Sequence, residues 1–167
     1  ANFVGAVGAM EFFAQQEGSD GATTRLAQDT WEDELVYARF LSDTTEELHK
    51  FYADHTAANS GEPPAEVLAE REALLQAAVE RWSAMTPQLK TALYKNKKLK
   101  LNNAVIIADG IYFDRPWLFV DLYQSSGNKL DKFIQEMLLM KERIKKNRQD
   151  PFDAVIERTK ELCAKKG

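Results

Sequence analysis

Along most of the chain apolar residues return every three or four positions, the period of a helix with one buried face. In the opening ANFVGAVGAMEFFAQQ, Phe3, Val7, Met10 and Phe13 or Ala14 fall on one side, while Gly5, Ala6, Gly8 and Ala9 leave another side nearly bare. Each glycine inside a helix costs about 1 kcal/mol relative to Ala, so Gly5 and Gly8 predict a neighbour packed close against them. EGSDG ends this helix. Over residues 23–56 the seam Trp31, Leu35, Ala38, Leu41, Thr45, Leu48, Tyr52 and His55 comes close to a heptad. ANSGEPP breaks it, and Pro63 and Pro64 suit the first turn of a second helix over 63–85, through Leu68, Leu75, Ala78, Trp82 and Met85. Two seams joined by a tight break predict an antiparallel αα-hairpin with Trp31 near Trp82 at its base.

After residue 86 the pattern tightens. Thr86 and Pro87 close the hairpin, and KNKKLK is a basic connector. The run LNNAVIIADGIYF then departs from the two-faced pattern, because its apolar residues are nearly continuous. It reads as a buried helix over 104–113, capped by Asn102 or Asn103, with Asp109 bonded to a neighbour such as Arg115 and the Tyr112 hydroxyl also partnered. Pro116 opens a further helix through Phe119, Leu122 and Tyr123 to SSGN. Another follows through Leu130, Phe133, Ile134, Met137, Leu138 and Met140, and Asp150 with Pro151 begins a last one reaching Ala164. No segment alternates as a strand does. The expected fold is all-α, a single multi-helix region over 1–167 made of a helix at 1–16, a hairpin at 23–85 and a helical core and tail at 86–167.

Composition agrees, with 29% charged residues and only 8 Gly and 5 Pro in 167 residues. Charge changes the picture more. The net −4 conceals an acidic stretch 1–88 at −11 and a basic stretch 89–167 at +7, which predicts that the two neutralise each other. Nucleic acid is not expected as a partner, since the basic stretch carries neither a binding motif nor repeated basic-aromatic interleaving. A single cysteine, Cys163, excludes an intrachain disulfide and a thiolate zinc site. No apolar run approaches the ~18 residues of a membrane span. The chain begins with Ala, directly inside a helical pattern, and is expected to be part of a longer protein.

Chemistry is hard to find in the residues themselves. H-E-x-x-H, a phosphate-binding glycine loop, G-x-S-x-G and C-x-x-C are all missing. His49 and His55 are six apart, about 240° around a helix, so they cannot share a metal as an i,i+4 pair does. Asp29 with Asp33, and Glu66 with Glu70, do share faces, but such carboxylate pairs are ordinarily solvated. The remaining candidates are Asn102, Asn103 and Tyr112, which are either cap and core or the polar donors of a cleft.

Two stretches carry a resemblance. ANFVGAVGAMEFF resembles the segment following the metal-binding Glu in the bacterial putative zinc aminopeptidases, and LNNAVIIADGIY resembles the Leu-Asn-Asn-Ala segment of that family, with Tyr112 at the matching distance. The order of the two stretches agrees as well. The resemblance implies a gluzincin-type site in which H-E-x-x-H and a Glu hold zinc, all upstream of Ala1, so that no residue here is a metal ligand and this chain alone is expected to be inactive. It implies that Ala1–Gln16 is the body of the ligand-bearing helix, with Gly5 and Gly8 packing on the active-site helix. It further implies Tyr112 as a catalytic oxyanion donor and Asn102 and Asn103 as substrate-binding residues of a peptide cleft. Val105-Ile106 stands where the family pattern would place an Arg. The partners implied are the upstream catalytic region of the same protein and a peptide, and the address implied is the bacterial envelope or periplasm. The alternative reading is a non-enzymatic helical interaction module.

Overall fold

The computed structural model describes residues 1–55 and 63–164, and all regular structure among them is helical. The helices are α1 (Asn2–Glu17), α2 (Ala22–Asp54), α3 (Ala65–Met85), α4 (Ala92–Lys95), α5 (Asn103–Phe113), α6 (Pro116–Ser125), α7 (Leu130–Asn147) and α8 (Pro151–Ala164), with a 3-10 turn at Thr86–Gln88. Among the described residues no helix is long and apolar enough to cross a membrane. The chain forms two compact units, one of Ala1–Ala27 with Arg115–Gly167 and one of Gln28–Asp114.

In the first unit α1 turns Phe3 and Val7 inward. The Phe3 ring meets Phe119 and Tyr123 of α6 and Phe133 of α7, with centroids 6.4, 5.7 and 4.7 Å away. The neighbour expected at the two glycines of α1 is not among the described residues. A Cβ on Gly5 would meet nothing within 4 Å, and one on Gly8 would only touch Leu130 at 3.9 Å. Within the described residues their side of α1 is simply left uncrowded. The Asp150 start is as expected, its carboxylate accepting from the amides of Phe152 at 2.8 Å and Asp153 at 3.2 Å, which satisfies two of the donors a helix start leaves open. Half-buried Arg158 ties α8 to Glu136 of α7 at 2.6 Å.

In the second unit α2 and α3 run antiparallel. Tyr37 and Phe40 meet Trp82 with centroids 5.1 and 5.2 Å away, Leu48 clusters with Leu75, and His55 reaches Glu70 at 3.2 Å. Residue numbers fall on α3 as they rise on α2. The break between the helices falls mostly on residues 56–62, outside the described residues. Pro64 occupies the N-cap position of α3, one residue ahead of the first turn expected for it. The predicted seam is buried at Trp31, Ala38, Leu41 and Leu48, but so are Asp33, Tyr37, Phe40 and Thr44 on its flank. The flank is covered because Tyr37 also packs on Tyr94 of α4 and Phe113 of α5. Of the charge pairing expected between acidic and basic stretches, Lys90 supplies an instance, reaching Asp29 and Glu32 at 3.1 and 2.6 Å.

Asp33 anchors the segment that follows the 3-10 turn. Its carboxylate accepts from the amides of Lys90 and Thr91, at 2.9 and 2.8 Å, and from the Thr91 hydroxyl at 2.7 Å. Burial opposes its ionisation, but those donors and the Lys90 charge outweigh it and hold the carboxyl below the usual carboxylate range. A depressed folded value means that the stabilisation is complete at neutral pH and fades as pH falls through that value. Asp33→Ala should therefore cost about 2–3 kcal/mol near pH 7, from lost bonds to a charged acceptor. The gap between variant and parent in urea unfolding should shrink below the ordinary carboxylate range. A gap that is constant with pH would contradict this role.

Candidate functional site

The stretch singled out by its sequence is α5, and its two ends do different things. Asn102 is the N-cap, its side chain accepting from the Val105 amide at 2.9 Å. Asn103 faces the hairpin, its Nδ2 donating to the Tyr52 hydroxyl at 2.6 Å. The Asn103 Oδ1 is buried and has no hydrogen-bond partner among the described residues. Turning the amide over would only exchange which of its two polar atoms is left without one. Asn103 therefore ties α5 to α2 and is not open to solvent through its carbonyl. Tyr52→Phe removes its one described partner, leaving a buried amide unpaired at a cost of about 1–3 kcal/mol. Thermal unfolding should show this as a lowered Tm, and an unchanged Tm would mean that the tie contributes nothing.

Only part of α5 is core. At about 100° per residue, Ile106, Asp109 and Phe113 share one side, and Ile106 is 4% exposed. Phe113 packs edge-on to Tyr37 at 5.2 Å, and Asp109 accepts from the Tyr37 hydroxyl at 2.5 Å. Burial first, and the Asp109 carboxylate with it, pushes the Tyr37 hydroxyl up, so it stays a neutral donor. The other side carries Ala104, Ile107, Ala108, Ile111 and Tyr112, all exposed. Ile107, Ile111 and Tyr112 are exposed by 68, 75 and 66%. The expected buried helix is thus a half-buried one, and Tyr112 is not core. Asp109 meets Tyr37, where the sequence had suggested a neighbour such as Arg115.

The three candidate residues are not brought together on one face. Nine residues separate Asn103 from Tyr112, which is half a revolution of the helix and about 13 Å along its axis. Tyr112 lies among exposed apolar residues, whereas Asn103 lies against α2. Sequence reasoning also passed over Glu34, a half-buried carboxyl whose pKa burial raises. Burial likewise raises the hydroxyl of Tyr94, and the charge of Glu34 adds to it. Nothing in the sequence marks Glu34, because its neighbours Glu32 and Asp33 make it look like one more surface acid.

The acid pairs noted in the sequence are engaged separately, Asp29 by Lys90, Asp33 by Thr91 and Glu70 by His55. His49 is exposed, and His55 stacks on Phe51 at 4.4 Å. Among the described residues no three of His, Cys, Asp and Glu gather as a metal-binding group.

A family model described as putative aminopeptidase matches residues 1–152. No curated protein and no solved structure matches the chain.

Proposed function

This chain belongs to the putative aminopeptidase family, and from that membership we propose that it is the helical part of a zinc-dependent aminopeptidase whose metal ligands lie in a segment outside it. The exposed side of α5 lines the peptide cleft of the intact protein, and the Tyr112 hydroxyl donates to the oxygen that gains charge as the peptide carbonyl is attacked. The observation that carries this reading is the position of Tyr112, 66% exposed on a helix side otherwise made of Ala and Ile. A contiguous apolar side with one hydroxyl in it is what a peptide-binding wall requires, and it is an unusual surface to leave to water. Asn102 and Asn103 have different parts in this reading. Asn103 sets the position of α5 through Tyr52, and Asn102, capping the helix at the surface, retains an amide N–H₂ for a substrate carbonyl.

The test is hydrolysis of aminoacyl p-nitroanilides by the intact protein. Activity should disappear on chelation and return with zinc, while the 167-residue chain alone should be inert. Hydrolysis by the chain alone, or hydrolysis by the intact protein that ignores chelation, would overturn the proposal. An intact protein that folds, carries zinc and hydrolyses nothing would favour the other use of the same exposed surface, docking without catalysis.

A further inference from the structure

A second place in the molecule, built on α6, α7 and α8, has the form of a ligand site. Helices α6, α7 and α8 line a half-open groove with a volume of about 410 Å³, within the range of small-molecule pockets. Its floor is Phe119 of α6, Met137, Met140 and Ile144 of α7, and Phe152 and Val155 of α8. Met140 and Val155 are 1 and 3% exposed, so the floor reaches the interior of this unit. The rim is different in kind. Lys141 and Lys145 stand one helical turn apart on α7 and line the same cavity. Neither ammonium has an ion pair or hydrogen bond among the described residues. A third cation stands beside the floor, because the Arg115 guanidinium lies over the Phe152 ring at 3.7 Å.

We propose that this cavity binds a single-chain fatty carboxylate, with the alkyl chain on the Met-Phe floor and the head group between Lys141 and Lys145. The floor presents hydrocarbon and thioether side chains and no hydrogen-bonding group of its own. A peptide segment would bring backbone N–H and C=O groups into that space and leave them unpaired, at a cost an alkyl chain does not incur. Methionine side chains reshape themselves around flexible chains more readily than branched ones do. The two lysines, by contrast, offer their charge at the mouth, where a carboxylate stays partly hydrated while its chain is buried. An amphiphile with a cationic head would meet repulsion at the same place. The inference stands independently of the peptidase reading, since none of these residues belongs to the α5 surface.

The methionines make the site readable. The chain has 4 of them, Met137 and Met140 in the cavity and Met10 and Met85 elsewhere. With methyl-labelled methionine in the 167-residue chain, dodecanoate below its micelle concentration should shift the Met137 and Met140 signals saturably and leave Met85 unmoved. Affinity should rise about fourfold per added methylene from octanoate to dodecanoate. Lys141→Gln with Lys145→Gln should weaken dodecanoate at least tenfold while the spectrum of the free protein is retained. Dodecyltrimethylammonium should bind the parent far more weakly than dodecanoate does. Met137→Trp, which fills part of the cavity and keeps both lysine charges, should abolish the Met140 shift. The proposal is overturned if dodecanoate leaves Met137 and Met140 unshifted, if it shifts all four methionines alike, or if the double lysine variant binds it as tightly as the parent.

Discussion

Trp82→Ala should remove about 3–5 kcal/mol of stability, the largest loss expected from any single truncation in the hairpin. The side chain is 1% exposed, and it is held from three directions. Tyr37 meets it edge-on and Phe40 lies tilted against it, both from α2. Its indole N–H donates to the Lys97 carbonyl at 2.8 Å, which fastens the basic connector to α3. Truncation removes the transfer energy of the ring, opens a cavity between two helices that cannot collapse freely, and leaves the Lys97 carbonyl without its donor. A domain of this size is stable by only about 5–15 kcal/mol, so the variant should unfold at a much lower urea concentration. Trp82→Phe should cost less, because the ring contacts survive and the hydrogen bond does not. The adjacent Arg81 gives the contrast. It pairs with Glu47 at 2.7 Å, but both side chains are over 40% exposed, and Arg81→Ala should cost under about 1 kcal/mol. If urea unfolding followed by circular dichroism placed Trp82→Ala and Arg81→Ala at the same midpoint, the hairpin would not be held as described.

Much of this arrangement is legible in the chain, and the parts that are not share a cause. Helical period alone finds α1, α2, α3, α7 and α8, because each keeps an apolar side, and local signals mark several of their ends. Asp150 ahead of Pro151 is the clearest case. The flank of α2 is not legible, since Tyr37 and Asp33 are buried by residues far along the chain. Tyr37 bonds an aspartate 72 positions away, and Asp33 bonds Thr91 at a separation of 58. No period within α2 encodes those partners.

The candidate site shows the same limit more sharply. A continuous apolar run such as that of α5 says that the helix is apolar all round, but not what covers each side. Ile106 and Phe113 are covered by the hairpin, while Ile107 and Ile111 face outward, and the letters of the sequence do not distinguish them. The Asn pair was ambiguous for a related reason. Both residues have the side chain of a cap, and only the backbone decides, placing Asn102 in the extended conformation that a cap needs.

If Tyr112 is the oxyanion donor proposed for it, Tyr112→Phe in the intact protein should lower turnover by about 10²–10³, equivalent to roughly 3–4 kcal/mol, the usual cost of removing one such donor. The same substitution should leave Tm nearly unchanged. The ring is 66% exposed, and the change deletes one hydroxyl from a surface position without opening a cavity. That pairing of effects separates a cleft residue from a structural one. Tyr52→Phe is the matched control, because it deletes a hydroxyl bonded to Asn103 beneath the same helix and should lower Tm. The most direct test is therefore to measure Tm and peptidase turnover together for Tyr112→Phe in the intact protein. A hundredfold or greater loss of turnover at an unaltered Tm is the result expected if α5 walls the cleft. Turnover within about twofold of the parent would contradict that placement.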